Sequence, residues 1–304
     1  MIWDIHIRAF KAFLKLERAL SEHSIAAYER DVRKLVAYFQ IHGIDTPPRA
    51  VTRQQLEDFL VWINGLGLEM RSQARLLSGL KTFYRYLHTE QPLANDPTEL
   101  IEGPKLGRHL PEVLTFEEIQ AMLSSIDLST DHGLRNRAML EILYASGLRV
   151  SELTNLPLQN VYWEMGFLRI IGKGNKERLV PIGEEALKHL KFYIEGVRRH
   201  LSNIQPDARH LVFLNRRGGA LSRVFVFMIV KECARAAGIT KNVSPHTFRH
   251  SFATHLIEGG ADLRAVQDML GHESILTTEI YTHLDADFLR ETILQFHPRG
   301  GKRE

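Results

Sequence analysis

The chain has 304 residues, enough for two domains with separate cores. Its 39 lysines and arginines nearly balance 36 aspartates and glutamates, so a formal charge of +3 and a pI near 8.9 permit nucleic-acid binding without requiring it. The single cysteine, Cys233, excludes an intramolecular disulfide and fits a reducing compartment; no apolar run approaches a membrane span, and the amphipathic, charged first twenty residues are unlike a signal peptide, so a cytoplasmic protein without membrane contact is expected.

Residues 1–103 read as a four-helix domain. Phe10, Phe13, Leu14 and Leu16 face one way in a first helix, and Tyr28, Val32, Leu35, Val36 and Phe39 recur at helical spacing in a second over 25–42, closed by His42-Gly43. Thr52 caps a third over 54–66, and Leu76, Leu77, Leu80, Phe83, Tyr84 and Leu87 line a fourth over 72–87. The fourth also carries Arg71, Arg75, Lys81 and Arg85, a strip that suits either a solvated face or a phosphate backbone. Asn95-Asp96-Pro97 ends the helical region, and residues 104–114 have the Pro, Gly and charge of a linker.

A second domain is expected over 115–304. Thr115 caps a helix over 117–125, and a strongly apolar helix over 135–144 runs into a Gly147 turn that places Arg149 at the start of the next helix, with Glu152 three residues on to orient it. The period then changes: Phe167, Leu168, Ile170 and Ile171, then Leu179, Val180 and Ile182, predict a hairpin whose tip, 172–178, is basic and glycine-rich and contains Lys173. No GxxxxGK[ST] pattern precedes a helix, so the tip is not a nucleotide loop; a lysine there is suited to delivering an ammonium to a leaving oxygen in a groove. A third strand is expected at 211–214 and a helix over 222–237. The fold class is thus mainly α with a small antiparallel β-sheet.

Residues 244–283 predict three short helices with the densest polar chemistry in the chain. Ser244 caps the first, Gly259-Gly260 stops it, Asp262 caps a second that ends at Gly271, and Ser274 caps a third that carries Tyr281. His246 and Arg249 lie three apart on one helix, and His272 follows the Gly271 stop. A fixed cation, two imidazoles and a phenol suit an anionic, oxygen-rich substrate such as a phosphate. His246 and His250 are spaced for a metal, but the HExxH order is absent, and His250, His255 and His283 fit packing or surface roles. Three short helices joined at glycines also fit a non-catalytic helix-turn-helix DNA-binding module.

Five ordered motifs decide between these: GLRVSEL at 147–153, GKGNKERLVPI at 172–182, HTFRHSFATHL at 246–256, LGH at 270–272 and TTEIYTH at 277–283. Together they resemble the tyrosine site-specific recombinases, closest to the bacterial Xer subgroup, over essentially the whole chain. The resemblance implies a core-binding domain and an α+β catalytic domain that clamp DNA. It implies Tyr281 as nucleophile, Arg149 and Arg249 as ligands of the scissile phosphate, Lys173 as general acid, His246 and His272 as the remaining catalytic histidines, and Glu152 as support. It also implies metal- and ATP-independent strand exchange with no cofactor, a double-stranded recombination site, and a homo- or heterotetramer with a paralogous recombinase. Beyond these it implies a septal DNA translocase as activator and a nucleoid-associated, cytoplasmic role in resolving chromosome or plasmid dimers at cell division. Arg71, Arg75, Lys81 and Arg223 are candidate DNA contacts. A type IB topoisomerase would share the nucleophile, an arm-binding phage integrase or an integron integrase would need extra segments, and a DNA-binding regulator would have lost catalysis. Residues 284–297 predict a terminal amphipathic helix that docks in the family on a neighbouring subunit; packing in cis is the alternative.

Overall fold

In the computed structural model, which describes residues 2–93, 95–104, 112–172, 176–271 and 283–300 (for 283–287 the backbone only), the N-terminal apolar stripes form four helices. These are α1 (Ile2–Leu16), α2 (Glu22–Ile41), α3 (Arg53–Gly65) and α4 (Met70–Glu90). Ser21 caps α2 by accepting from Ser24 N, and Thr52 and Gln55 form a reciprocal capping box at α3. The stripes meet in a core of Trp3, Phe10, Val32, Leu35, Phe59, Leu80 and Phe83, where the Phe10 and Phe83 rings pack edge to face at 5.2 Å. One charge is buried with them: the Asp31 carboxylate of α2 is fully enclosed and takes two bonds from Arg75 of α4, at 2.8 and 2.5 Å. The chain folds as two compact units, Met1–His109 and Leu110–Glu304.

The larger unit is built on α6 (Asp131–Ser146), preceded by α5 (Phe116–Ser124). Every residue of α6 from Ala138 to Ser146 is buried, so this helix has no solvent face over its second half and serves as the hub of the core. Short α7 (Val150–Thr154) leads to an antiparallel sheet of β1 (Val161–Tyr162), β2 (Phe167–Ile171) and β3 (Glu177–Pro181), in that order, with Leu168 opposite Val180 and Ile170 opposite Arg178. There follow α8 (Glu184–Gly196), α9 (Arg223–Ala236), α10 (Pro245–Gly259), α11 (Leu263–Leu270) and α12 (His283–Phe296). At the near end of the expected linker, residues 112–114 are tied to this unit: Asn242 N donates to Glu112 Oε2 at 2.6 Å, Lys241 Nζ to Val113 O, and Leu114 N to Ser251 Oγ.

Two local expectations are corrected, and one element is added. Residues 211–214 are not a strand of the sheet: they make only isolated bridges, Pro157 to Leu211 and Leu214 to Ala220, and the third strand is β1. Their backbone groups go to scattered partners: Leu211 N to Ala208 O, Val212 N to Leu156 O, Leu214 N to Tyr193 Oη and Leu214 O to Arg135. The hairpin tip is shorter than 172–178, because pairing continues to Ile171 opposite Glu177 and Arg178 lies on β3 with its side chain buried. Helix α8 is the added element: Ala186, His189, Leu190 and Tyr193 keep helical spacing on its buried side, so its signal is present in the sequence.

Helix α12 packs in cis on its own chain: Leu289 and Ile293 join Phe252, Leu256, Val266 and Met269 in one apolar cluster. Beyond it, Arg299 Nη1 donates to both oxygens of the fully buried Glu141 at 2.7 Å, and Nη2 to Gln120. His297 lies between the Tyr144 and Phe252 rings.

Candidate active site

Two turns place the arginines. Helix α6 ends at Gly147 in the left-handed region (φ 57°), a conformation that costs a side-chain-bearing residue roughly 1–2 kcal/mol, and Leu148 then anchors the chain in the core. Arg149 therefore enters α7 as its N-cap residue. Its own amide donates to Glu152 Oε2 at 2.8 Å and its Nη1 to Glu152 Oε1 at 2.9 Å, so the carboxylate three residues along grips both ends of the same residue. The guanidinium remains about a third exposed, with Nη2 at 3.3 Å from Gly271 O.

Arg249 comes from the other direction. The capping box of Ser244 and Thr247, with Pro245 in the first turn, fixes the start of α10; His246 is exposed in that turn, and Arg249 one turn later is buried. Its Nη1 donates to Gly147 O at 2.7 Å and its Nη2 to Leu270 O at 2.6 Å. Burial, and then the neighbouring Arg149 charge, pull its pKa down to about 10, while Glu152 opposes them; the group stays protonated at neutral pH.

A third guanidinium completes the group. Arg178 of β3 donates from Nη1 and Nη2 to the two oxygens of Glu152, at 3.0 and 2.8 Å, and from Nε to Met269 O at 2.8 Å. Three consecutive carbonyls at the end of α11, those of Met269, Leu270 and Gly271, thus accept from Arg178, Arg249 and Arg149 respectively. The C-terminal end of a helix carries partial negative charge and favours cations, by roughly 0.3–1 kcal/mol at an exposed site and more when partly buried. Gly271 caps α11 with φ 63°, and a Cβ there would come within 3.1–3.2 Å of the Arg178 side chain, so close passage and the left-handed turn both call for glycine.

The surroundings suit an anion. A cavity of about 610 Å³ opens beside this group, lined by Arg149, Ser151, Asn155, Arg169 and Gly172. Arg169 of β2 is held in it by the buried Asn160, whose Oδ1 accepts from Nε and Nη2 at 3.2 and 2.9 Å. No cluster of three or more His, Cys, Asp or Glu side chains able to hold a metal occurs among the described residues. Lys173, His272 and Tyr281 lie outside the described residues, as does the helix expected to begin at Ser274.

Comparison with known proteins gives this geometry its context. Residues 112–287 match the model of the phage integrase family, and residues 7–91 match the N-terminal SAM-like domain of phage integrases. The chain is 44% identical over 301 residues to the tyrosine recombinase XerD of Chlorobaculum tepidum, covering 98% of each protein, and 45% identical to XerD of Listeria monocytogenes, covering 97% of this chain and 99% of that one. The chain belongs to the Xer-type tyrosine recombinases. A solved XerH site-specific recombinase, in a post-cleavage complex with a palindromic difH substrate, is 26% identical with a TM-score of 0.69, over 94% of this chain and 83% of that one.

As a tyrosine recombinase, the protein is a site-specific DNA-cleaving and -rejoining enzyme that works through a covalent intermediate. Of the residues singled out in its sequence, the fold brings Arg149, Glu152 and Arg249 together at the end of α11. The recombinase carries Arg71, Arg75 and Lys81 on α4 of one unit and the exposed Arg223 at the start of α9 in the other; Arg75 is already bonded to Asp31. Two arginines of the region went unrecognised in the sequence. Arg178 reads there as one more charge in a basic tip, and only its strand position, opposite the inward Ile170, signals that it points into the protein; Arg169 gives no sequence signal. Among the described residues, no helix is long and apolar enough to cross a membrane.

Proposed function

We propose that this recombinase exchanges strands at a specific duplex site by attack of the Tyr281 phenol on a scissile phosphate held by Arg149 and Arg249. A phenol with an ordinary pKa near about 10 is a weak nucleophile at neutral pH, and His246, exposed at the start of α10, is suited to take its proton. Attack forms a 3′-phosphotyrosyl bond and breaks the bond to the 5′ oxygen, which leaves as a hydroxyl with a proton from Lys173. Arg149, Arg249 and His272 stabilise the charge on the nonbridging oxygens of the pentacoordinate transition state. Because the phosphodiester energy is kept in the tyrosyl link, a 5′-hydroxyl from a partner duplex reverses the step without ATP. Two rounds of exchange pass through a Holliday junction.

The observation that carries this reading is the convergence of two guanidiniums from separate helices on one helix end, one buried and pre-set, the other open to solvent. Membership of the Xer branch supports the wider reading: four protomers, of one kind or with a paralogue, resolve chromosome or plasmid dimers under a septal DNA translocase, with Arg71, Arg75, Lys81 and Arg223 as backbone contacts and residues 104–114 joining a core-binding domain to a catalytic one. The test uses nicked duplexes bearing candidate recombination sites, in EDTA, on denaturing gels. Wild type forms a covalent adduct and Tyr281→Phe does not. A metal-dependent nick without adduct overturns the mechanism, and binding without adduct on any site, even with a paralogue and activator added, turns the assignment toward a DNA-binding regulator.

A further inference from the structure

We infer that Arg178 is a positioning residue for strand cleavage: it grips Glu152 from the side opposite Arg149, and so fixes the direction in which Arg149 presents its guanidinium to the phosphate. The inference rests on the reading of Arg149 as a phosphate ligand.

The bonding pattern makes the case. Glu152 accepts four hydrogen bonds, two from Arg149 and two from Arg178, which matches the four lone-pair positions of an ionised carboxylate. Arg178 thus supplies half of what holds the carboxylate in place. Its side chain is 6% exposed against 37% for Arg149, and all three of its nitrogens are engaged within the protein, so it is not itself a DNA ligand. The longest bond of the group, Arg149 Nη2 to Gly271 O at 3.3 Å, is on the solvent side, where an arriving phosphate oxygen can replace the carbonyl. The Nε bond to Met269 O links the same guanidinium to the end of α11, and its strand pairs with β2 up to Ile171, two residues before Lys173. One side chain therefore joins hairpin, α7 and α11.

The charges facing Glu152 are Arg149 on its own helix, Arg178 from β3 and Arg249 from α10. Burial by itself pushes the Glu152 carboxyl up; the Arg178 bonds and charge, then the two hydrogen bonds from Arg149, outweigh it and hold the carboxyl below the usual range. Without Arg178 the carboxyl takes up a proton at higher pH, and a protonated Glu152 loses half its grip on Arg149.

Single-turnover adduct formation by the full chain on a nicked duplex, followed from about pH 5.5 to 8, tests this. Arg178→Met, which fills the space without charge, is expected to slow adduct formation about 10- to 100-fold at neutral pH, with a steeper loss toward acid than the one a histidine base gives wild type. Duplex affinity in a Tyr281→Phe background stays within about 3-fold. Adding Glu152→Gln to Arg178→Met brings the acid limb back to that of wild type. Wild-type rates and pH profile in Arg178→Met overturn the inference, as does an equal loss of binding and cleavage with an unchanged profile. If Arg178→Met does not fold, Arg178→Lys decides: a slower rate of about 10-fold with the wild-type profile supports the role, because an ammonium keeps Glu152 ionised but cannot span both oxygens, and a wild-type rate overturns it. Arg149→Ala separates the two claims. If it forms adduct at the wild-type rate, the reading of Arg149 fails; if it is inactive while Arg178→Met cleaves normally, only the present inference fails.

Discussion

Replacing Gly147 by alanine tests whether the turn between α6 and α7 is a mechanical part of the site. The added Cβ would overlap the Phe252 ring, standing 2.8 Å from Cε1, and would come within 3.1 Å of Leu270 Cδ2. The backbone there has φ 57°, which costs an alanine roughly 1–2 kcal/mol, and overpacking a closed core costs typically 1–3 kcal/mol more. The sum, about 2–5 kcal/mol, corresponds to a melting temperature lowered by roughly 5–15 °C for a unit of this size. Because Gly147 O accepts from Arg249 Nη1 at 2.7 Å, any shift of the turn also turns the guanidinium, and adduct formation is expected to fall by about 10-fold or more. Calorimetry of the full chain reads the first effect and the nicked-duplex assay the second. Phe252→Leu in the Gly147→Ala background should recover the packing share and leave the backbone share, a non-additivity of about 1–3 kcal/mol. A single variant that melts within about 2 °C of wild type and cleaves normally refutes the reasoning.

Two further outcomes follow from buried charge. His297 is fully enclosed and its pKa is pulled down to about 3, by burial first and then by the nearby His255, so the folded state binds its proton later than the unfolded chain does. The stabilisation is complete above pH 6.5 and is lost at about 1.4 kcal/mol per pH unit as pH falls toward 3; melting of the larger unit should drop between neutral pH and pH 5, and His297→Phe should flatten that drop, an unaltered slope counting against it. At Asp31 the sign is opposite: burial, the dominant cause, raises the folded pKa despite Arg75, so this titration favours folding only in acid and the gain fades as pH rises through the folded value. Asp31→Asn should therefore change the stability of the N-terminal unit at neutral pH by about 1 kcal/mol or less, while Arg75→Ala, which strands a buried carboxylate, costs about 2–4 kcal/mol; equal losses in thermal melts would contradict this.

Most elements were legible because their signals are local. The caps at Thr52, Thr115, Ser244 and Asp262 and the stops at Gly147, Gly260 and Gly271 all stand in the structure where residue type places them, since a cap needs only a hydroxyl or carboxylate and the next three amides. What failed to be legible depends on distant partners. The apolar run 211–214 suits a strand, yet its hydrogen bonds go to Ala208, Leu156, Tyr193 and Arg135 rather than to one neighbouring strand. Arg149, Arg249 and Glu152 were readable from their motifs, whereas Arg178 was hidden among six neighbours of loop-like composition, because its role comes from Glu152, 26 residues away, and Met269, 91 residues away. The cis seat of α12 was likewise undecidable from its amphipathic pattern, which is the same whichever chain it packs against.

The three acceptors at the end of α11 belong to the main chain, and this sets what kind of change can harm them. Alanine at Met269 or Leu270 removes no acceptor, so its cost comes from the lost core packing of these buried side chains and does not report the anchorage. The buried Ala265, Val266, Met269 and Leu270 answer to the packing of the core, whereas the three acceptors need only that the helix stop in the same phase. An inserted or deleted residue is different: it turns the helix end by about 100° and moves it by about 1.5 Å, unhooking Arg178, Arg249 and Arg149 in one event. In this enzyme the length of a helix is held as tightly as the identity of a catalytic side chain.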